Sequence, residues 1–362
     1  MIKNRVTFVL SSLLLSGGVQ VIVEYANRLV TRGYHVTIVS PSNCRSPEIN
    51  KMLSKKLDIR EVIPLRQKTS ILYKSYLAWR LAKAVPDSQY IIATHTPTTL
   101  VTLINKFIFH RKGQLIWFYM DYPGMFASRR LEGLLMHFAM LWHEKALTLS
   151  LFSKNELISL SSTNKSIHVI GLGLSNKNFY NNLSPKTTIR SHKGIKSILY
   201  IGDHRIRKGL FDFLRAAEML YIRYPNIELW LALKDDCQVP STLPYKCFHR
   251  PTVRLLANLY KTCDLFVSSS WYEGFGLPAL EAMACGAPVV LTDSGGVREY
   301  ANPKINCMIV PPRNPPALSG AMYEVLNNPH IEDELRKNGP LTSARFSWEE
   351  CMIKIEKAFM EI

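Results

Sequence analysis

The sequence predicts an α/β protein built from two parallel-sheet domains. Three observations carry this. The chain has 362 residues, more than a single core usually holds. Short apolar runs rich in β-branched and aromatic residues alternate with helical stretches along its whole length. Those runs are apolar throughout rather than at every second residue, as strands covered by helices on both faces are.

In the first half the strands are read at Arg5–Leu10, His35–Val39, Tyr90–Thr94, Gln114–Tyr119, Ala146–Ser150 and Ile167–Ile170. In the second half they are read at Lys196–Ile201, Ile227–Leu231, Asp264–Ser268, Pro288–Thr292 and Met308–Val310. The opening, MIKNRVTFVLSSLLLSGG, has the basic start and apolar run of a signal peptide. We read it as the first strand, because GGVQVIVEYANRLVTRGYHVTIVS follows at once as turn, helix Gln20–Val30, turn and second strand. The polar, turn-rich stretch Gly171–Gly194 reads as an interdomain hinge. Within it, GLGLSN lacks the third glycine of a dinucleotide fingerprint. This sets a first domain at residues 1–172 and a second at 173–345, with a last helix, about 346–362, crossing back onto the first. Two such domains facing each other leave a cleft at the carboxyl ends of their strands, where open α/β sheets bind ligands.

The seven cysteines are scattered and form no CxxC pair, which predicts free thiols in a cytoplasmic protein, not a disulfide framework or a zinc module. HEKAL, His143–Leu147, lacks the second histidine of a zinc-protease motif, so no metal site is expected. The net charge of +17 is uneven: residues 1–174 hold 22 Lys/Arg against 9 Asp/Glu, and residues 175–362 hold 23 against 19. Residues 45–83 alone hold ten basic and three acidic side chains. Inside that span Ser70–Val85 reads as an amphipathic helix, with Tyr73, Tyr76 and Trp79 among Lys74, Arg80 and Lys83. This front-loaded charge suggests an anionic partner, whether membrane surface, nucleic acid or acidic polymer, and basic and aromatic residues together suit an anionic membrane surface. The bland alternative is a domain helix whose aromatics are core and whose charges are solvated.

The most informative string is EGFGLPALEAMACGAPVV, Glu273–Val290. Glu273 follows a strand and opens a glycine turn, and Pro278 suits the first turn of the next helix. The amides of Phe275, Gly276 and Leu277 are then free to meet an anion or a hydroxyl. Glu281 falls one turn into that helix, so two carboxylates can reach two parts of one ligand.

This string closely resembles the EX7E motif of retaining glycosyltransferases of the GT-B fold, family 4. The resemblance extends upstream over LANLYKTCDLFVSSSWYEGFG and downstream over TDSGGVREYANPKINCMIVPP and the terminal FSW, Phe346–Trp348. It is looser in the first half, through SGGVQVIVEYANRLVTRGYHVTIV. It implies two Rossmann-like, doubly wound domains, and transfer of a hexose-type sugar from a nucleotide-diphosphate sugar to a glycan or lipid-linked acceptor, with retention and without a cofactor or metal. That chemistry fits bacterial cell-envelope polysaccharide or glycolipid synthesis, and acceptors of that kind imply peripheral contact with an anionic membrane through residues 45–85, on the inner face, with no nucleic acid partner. By this resemblance Glu273 contacts sugar hydroxyls and Glu281 the ribose. Lys208, in YIGDHRIRKGLFDF, matches a diphosphate-binding lysine. Asp203 stands near the usual arginine position, so Arg205 is the expected replacement, ahead of Arg207. The loop Ser16, Gly17, Gly18, Val19 is expected against diphosphate and acceptor. In relatives a histidine lies where this chain has Tyr119, Met120 and Asp121. Asp121 either polarises an acceptor hydroxyl or caps a turn, and His95 ends a neighbouring strand. Two rivals remain: a sugar-nucleotide epimerase of the same fold, and a non-catalytic basic membrane-binding protein.

Overall fold

A computed structural model describes residues 4–42, 45–64, 71–121, 130–160, 165–174, 194–236 and 238–361. The chain divides into two compact units, Met1–Leu172 with Glu349–Ile362, and Gly173–Trp348. Most of the stretch read as a hinge, 175–193, lies outside the described residues.

The first unit holds β1 (Arg5–Val9), β2 (His35–Pro41), β3 (Asp58–Val62), β4 (Tyr90–Ala93), β5 (Gln114–Tyr119), β6 (Lys145–Thr148) and β7 (Ser166–Val169). They form one sheet in the order β3-β2-β1-β4-β5-β6-β7, parallel at every pairing. Parallel neighbours need crossovers. Helices α1 (Gly17–Thr31), α2 (Pro47–Met52), α3 (Ile71–Ala84), α4 (Thr96–Phe107), α5 (Arg130–Trp142) and α6 (Leu151–Leu160) run between the strands. The second unit repeats the plan with β8 (Lys196–Gly202), β9 (Ile227–Leu233), β10 (Tyr245–His249), β11 (Leu265–Ser268), β12 (Val289–Thr292) and β13 (Met308–Val310). Their order is β10-β9-β8-β11-β12-β13, again all parallel. Its helices are α7 (Leu210–Arg223), α8 (Val253–Thr262), α9 (Leu277–Ala284), α10 (Pro315–Asn327) and α11 (Pro329–Ser343).

Both sheets reverse their winding beside their first strand, between β1 and β4 and between β8 and β11. These are the switch points at which such sheets place ligands. The predicted strands are present, and two more, β3 and β10, lack the apolar run that marks the others. Both are sheet edges. DIREV buries only Val62, and YKCFH buries no residue fully, so neither carries the apolar run of a central strand. Helix α1 also starts earlier than its apolar pattern: Ser16 caps it, its Oγ accepting from Val19 N at 3.3 Å, so Gly17 and Gly18 are its first turn. The expectation that all thiols are free is corrected at Cys247, which is disulfide-bonded. Cys263, Cys285, Cys307 and Cys351 are free. Spacing along a chain does not tell which sulfurs folding brings together. Among the described residues no helix is long and apolar enough to cross a membrane.

The final helix, α12 (Trp348–Met360), packs from Glu349 onward in the first unit. Phe359 stacks on Tyr90 with ring centroids 4.2 Å apart, and the Tyr90 hydroxyl donates to Phe359 O at 2.9 Å. Lys145 Nζ donates to Ala358 O at 2.7 Å and to Glu361 O, placing a cation at the helix C-terminus where the dipole favours it. Arg32 grips the exposed side through Glu356, at 2.6 Å, and Glu349. Phe359→Ala is therefore expected to lower stability by about 3–4 kcal/mol, read as a shifted denaturation midpoint at unchanged slope. Met360→Ala, on the exposed side of the same turn, is expected to change it by less than about 0.5 kcal/mol.

Candidate functional site

The second unit's switch point is built by the loops after β8 and β11. After Gly202 the chain runs through Asp203 and Arg205 into a single 3-10 turn, Ile206–Lys208, and reaches α7 through Gly209. Gly209 has φ 66°, and a Cβ there would stand 2.0 Å from Ser269 O. Only glycine lets the two loops approach this closely. The Ser269 hydroxyl donates to Gly209 O at 2.7 Å, and the Tyr200 hydroxyl to Lys208 O at 3.0 Å, which fixes the lysine's backbone. Lys208 Nζ then meets Glu273 Oε1 at 2.7 Å, with both side chains only 14 % exposed. Ser270 Oγ donates to the same oxygen at 2.8 Å, and Arg207 lies 3.7 Å from Oε2. Burial pushes the Glu273 carboxyl up, but the charges of Lys208 and Arg207 and the hydrogen bonds more than offset it and hold the group below its ordinary value.

The loop that follows is held from a third side. Glu273 N donates to Ser294 O at 2.8 Å, and Gly296 N donates to Glu273 O at 2.9 Å. A Cβ at Gly296 would fall 2.3 Å from Gly274 C, so this approach too needs glycine. Gly276 caps α9 at φ 84°, with Pro278 in the first turn. Its carbonyl accepts from the Tyr300 hydroxyl at 2.6 Å, and Phe275, Tyr300 and Phe346 pack ring to ring. The segments TDSGGVREY and FSW thus support the Glu273 turn. Glu281, one turn further, accepts from the Tyr260 hydroxyl at 3.0 Å. Burial raises it to about 7, against that hydrogen bond. The two glutamates are thereby set apart: one is kept ionised by cations, the other is raised by burial to about 7, where both protonation states are populated.

Arg205 does not join Lys208. It folds back on Asp203 as a bidentate pair, Nε to Oδ1 at 2.8 Å and a terminal nitrogen to Oδ2 at 2.5 Å, with its side chain 59 % exposed. Burial raises Asp203, but the hydrogen bonds and charge of Arg205 leave it lowered overall. Arg207, ranked second in the sequence, is the arginine that the 3-10 turn aims at Glu273. The signal was the helical advance of that turn, which loop spacing alone does not reveal.

In the first unit the loops after β1, β4 and β5 meet at the other switch point. A Cβ at Gly18 would be 3.8 Å from Met120 Cε and 3.9 Å from His95 Nε2, whereas one at Gly17 would have open space. Of the two roles left open for Asp121, the geometry serves the structural one. Its Oδ2 accepts from Thr96 N and Thr96 Oγ1, both at 2.6 Å, in the first turn of α4. His95 is the N-cap residue of that helix, and burial lowers its ring against the pull of Asp121. Residues 122–129 lie outside the described residues. Among the described residues no three His, Cys, Asp or Glu side chains gather as a metal would require.

Residues 245–342, from β10 into α11 and including Glu273 and Glu281, match the family model Glycosyl transferases group 1. An uncharacterized glycosyltransferase of Methanocaldococcus jannaschii is 35% identical over 167 residues, 45% of this chain and 48% of that protein, so the match spans about half its length. Among solved structures, sucrose-phosphate synthase from Thermosynechococcus elongatus superposes with a TM-score of 0.80 at 17% identity, covering 98% of both chains. Anabaena HepE in complex with UDP-glucose superposes with a TM-score of 0.77 at 17% identity, covering 99% of this chain and 100% of its own. Residues 245–342 thus carry the sequence pattern of Glycosyl transferases group 1, on a chain whose two parallel-sheet α/β units have the GT-B fold.

Proposed function

We propose that the protein is a retaining glycosyltransferase. It moves a hexose-type sugar from a nucleotide-diphosphate sugar to a glycan or lipid-linked acceptor, in cell-envelope polysaccharide or glycolipid synthesis. The observation that carries this is the buried Lys208–Glu273 pair, flanked by Arg207, at the second unit's switch point. The similar fold of HepE, solved with UDP-glucose, supports a nucleotide-sugar donor.

In this reading Lys208 and Arg207 balance the charge that develops on the departing diphosphate, which lowers the barrier without a metal. Glu273, kept ionised, accepts hydrogen bonds from sugar hydroxyls. The amides of Phe275, Gly276 and Leu277, at the start of α9, meet sugar and phosphate oxygens. Glu281 accepts from the ribose. Gly17 and Gly18 leave the first-turn amides of α1 free for a ligand of the first unit. Asp121 holds Thr96 at the start of α4 rather than acting as a base. The carboxylates hold the donor and are not a glycosidase acid/base pair. Attack comes on the leaving-group face, which retains the configuration.

The test is a thermal-shift panel of nucleotides and nucleotide sugars, followed by donor turnover with and without lipid-linked glycans. A nucleoside-diphosphate sugar is expected to raise Tm and to lose its sugar to an added acceptor. The absence of any stabilising nucleotide rejects the reading, and release of free nucleotide without an acceptor favours an epimerase.

Glu281 gives a pH test. Ribose hydroxyls donate to the ionised carboxylate, so binding expels the proton that a group titrating at about 7 holds. Nucleotide affinity is expected to rise with pH through about 7, with proton release seen by calorimetry in buffers of different ionisation heat. Glu281→Gln is expected to flatten this dependence. For the ligand-free protein the sign is opposite. The raised folded value means the folded state holds the proton more tightly, so that contribution is full below 4.5 and is lost as pH rises through about 7. An affinity that falls across this window overturns the ribose assignment.

A further inference from the structure

The first unit exposes an apolar ridge that a helix layer facing water does not need. Helix α4 packs against both α3 and α5. Along them Trp79, Phe107, Ile108, Leu134, Phe138 and Trp142 are each at least 40 % exposed. In α5 the inner stripe is Met136, Ala139 and Met140, all buried, so Leu134, Phe138 and Trp142 at i, i+4 and i+8 form the opposite stripe. A surface helix normally carries polar residues there. Rings meet in two pairs along it: Trp79 lies 5.8 Å from Phe109, and Phe107 lies edge-on to Trp142 at 5.0 Å. The spread exceeds the scattered single residues of an ordinary surface.

The ridge is bordered by positive charge. Lys83 Nζ lies 5.8 Å from the Trp79 ring, and Arg80 sits at 5.8 Å over Tyr76. Lys74, Lys83 and Lys112 form no ion pair among the described residues, whereas the nearby acids Asp87 and Glu144 are taken up by Arg111 and Lys106. The matching surface is therefore apolar beneath and negative above. A second copy of this chain would set like charges against each other across a two-fold axis.

We propose that the α3–α4–α5 ridge docks on an anionic lipid bilayer. Trp79, Phe107, Phe138 and Trp142 enter the boundary between headgroups and acyl chains, and Lys74, Lys83 and Lys112 face the lipid phosphates. This moves the contact expected at residues 45–85 along the helix layer, with only α3 in common. It uses no residue of the second unit and so does not depend on the donor reading.

The test is co-sedimentation of the full chain with phosphatidylcholine vesicles, with and without phosphatidylglycerol. Binding is expected to the anionic vesicles and to weaken with salt. Phe138→Ser with Trp142→Ser is expected to reduce it about tenfold or more, and Lys83→Gln with Lys112→Gln about tenfold. All four side chains lie in the described surface, and an unchanged far-ultraviolet circular dichroism spectrum with a cooperative thermal transition reports that the fold persists. No vesicle binding, or binding that the aromatic variant leaves unchanged, overturns the proposal. So does a lipid-free dimer in sedimentation velocity that Phe138→Ser with Trp142→Ser dissociates, since the face then belongs to a second copy.

Discussion

Lys208→Ala is expected to lower donor turnover about 10²–10³-fold and to destabilise the protein by about 3 kcal/mol at neutral pH. The two effects have one cause. Glu273 is buried beside Lys208, which supplies the closest charge and a direct hydrogen bond. Without the lysine the carboxylate keeps only Ser270 and the more distant Arg207, and its titration moves upward. In the wild type the depressed value contributes stability that is present above 4.5 and is lost as pH falls through the folded value. In Lys208→Ala that contribution reverses, so the variant is expected to approach the wild type in stability as the medium is acidified. Arg207→Ala is expected to have a smaller effect in the same direction. Arg205→Ala has the smallest, because that side chain is largely exposed and engaged with Asp203. Urea midpoints across pH, with donor turnover for each variant, decide the matter. A larger loss at Arg205 than at Lys208 would falsify the assignment of the diphosphate cations.

Gly209→Ala is expected to cost roughly 4 kcal/mol and to weaken nucleotide binding in the molecules that remain folded. Two penalties combine. At φ 66° a non-glycine residue costs about 1–2 kcal/mol on its own. The added Cβ would also stand 2.0 Å from Ser269 O, a backbone atom that cannot swing aside as a side-chain tip can. Relief requires the loops after β8 and β11 to part, which carries Lys208 away from Glu273. Gly33→Ala separates the two terms: it has φ 88° with nothing within 4 Å of the new Cβ, so only the first penalty applies. Denaturant midpoints for the pair are expected to differ by about 2–3 kcal/mol. Equal midpoints would mean that the loops do not meet as described.

The central strands were legible because two-sided burial writes continuous apolar runs such as RVTFV and IELWLAL. The edges β3 and β10 were not, since exposed pairing partners leave charged residues in the run. The glycines of SGG and EGFG were readable as turn or helix-start residues. What requires Gly209 and Gly296, a backbone from another loop within 2–2.5 Å, is invisible without the partner loop.

The candidate site divides in the same way. Sequence by itself determined that two parallel α/β sheets form, that Glu273 follows a strand, that Glu281 falls a turn into the next helix, and that Lys208 belongs to a strand–turn–helix. Each is a matter of local spacing along one stretch of chain. Tertiary structure decided that Arg207 and not Arg205 joins Lys208, that Asp121 spends its carboxylate on α4, and that one glutamate is held ionised while the other is raised to about 7. Those outcomes depend on which charges and hydrogen-bond donors stand within a few ångströms, and Coulomb energy and desolvation change steeply over that distance.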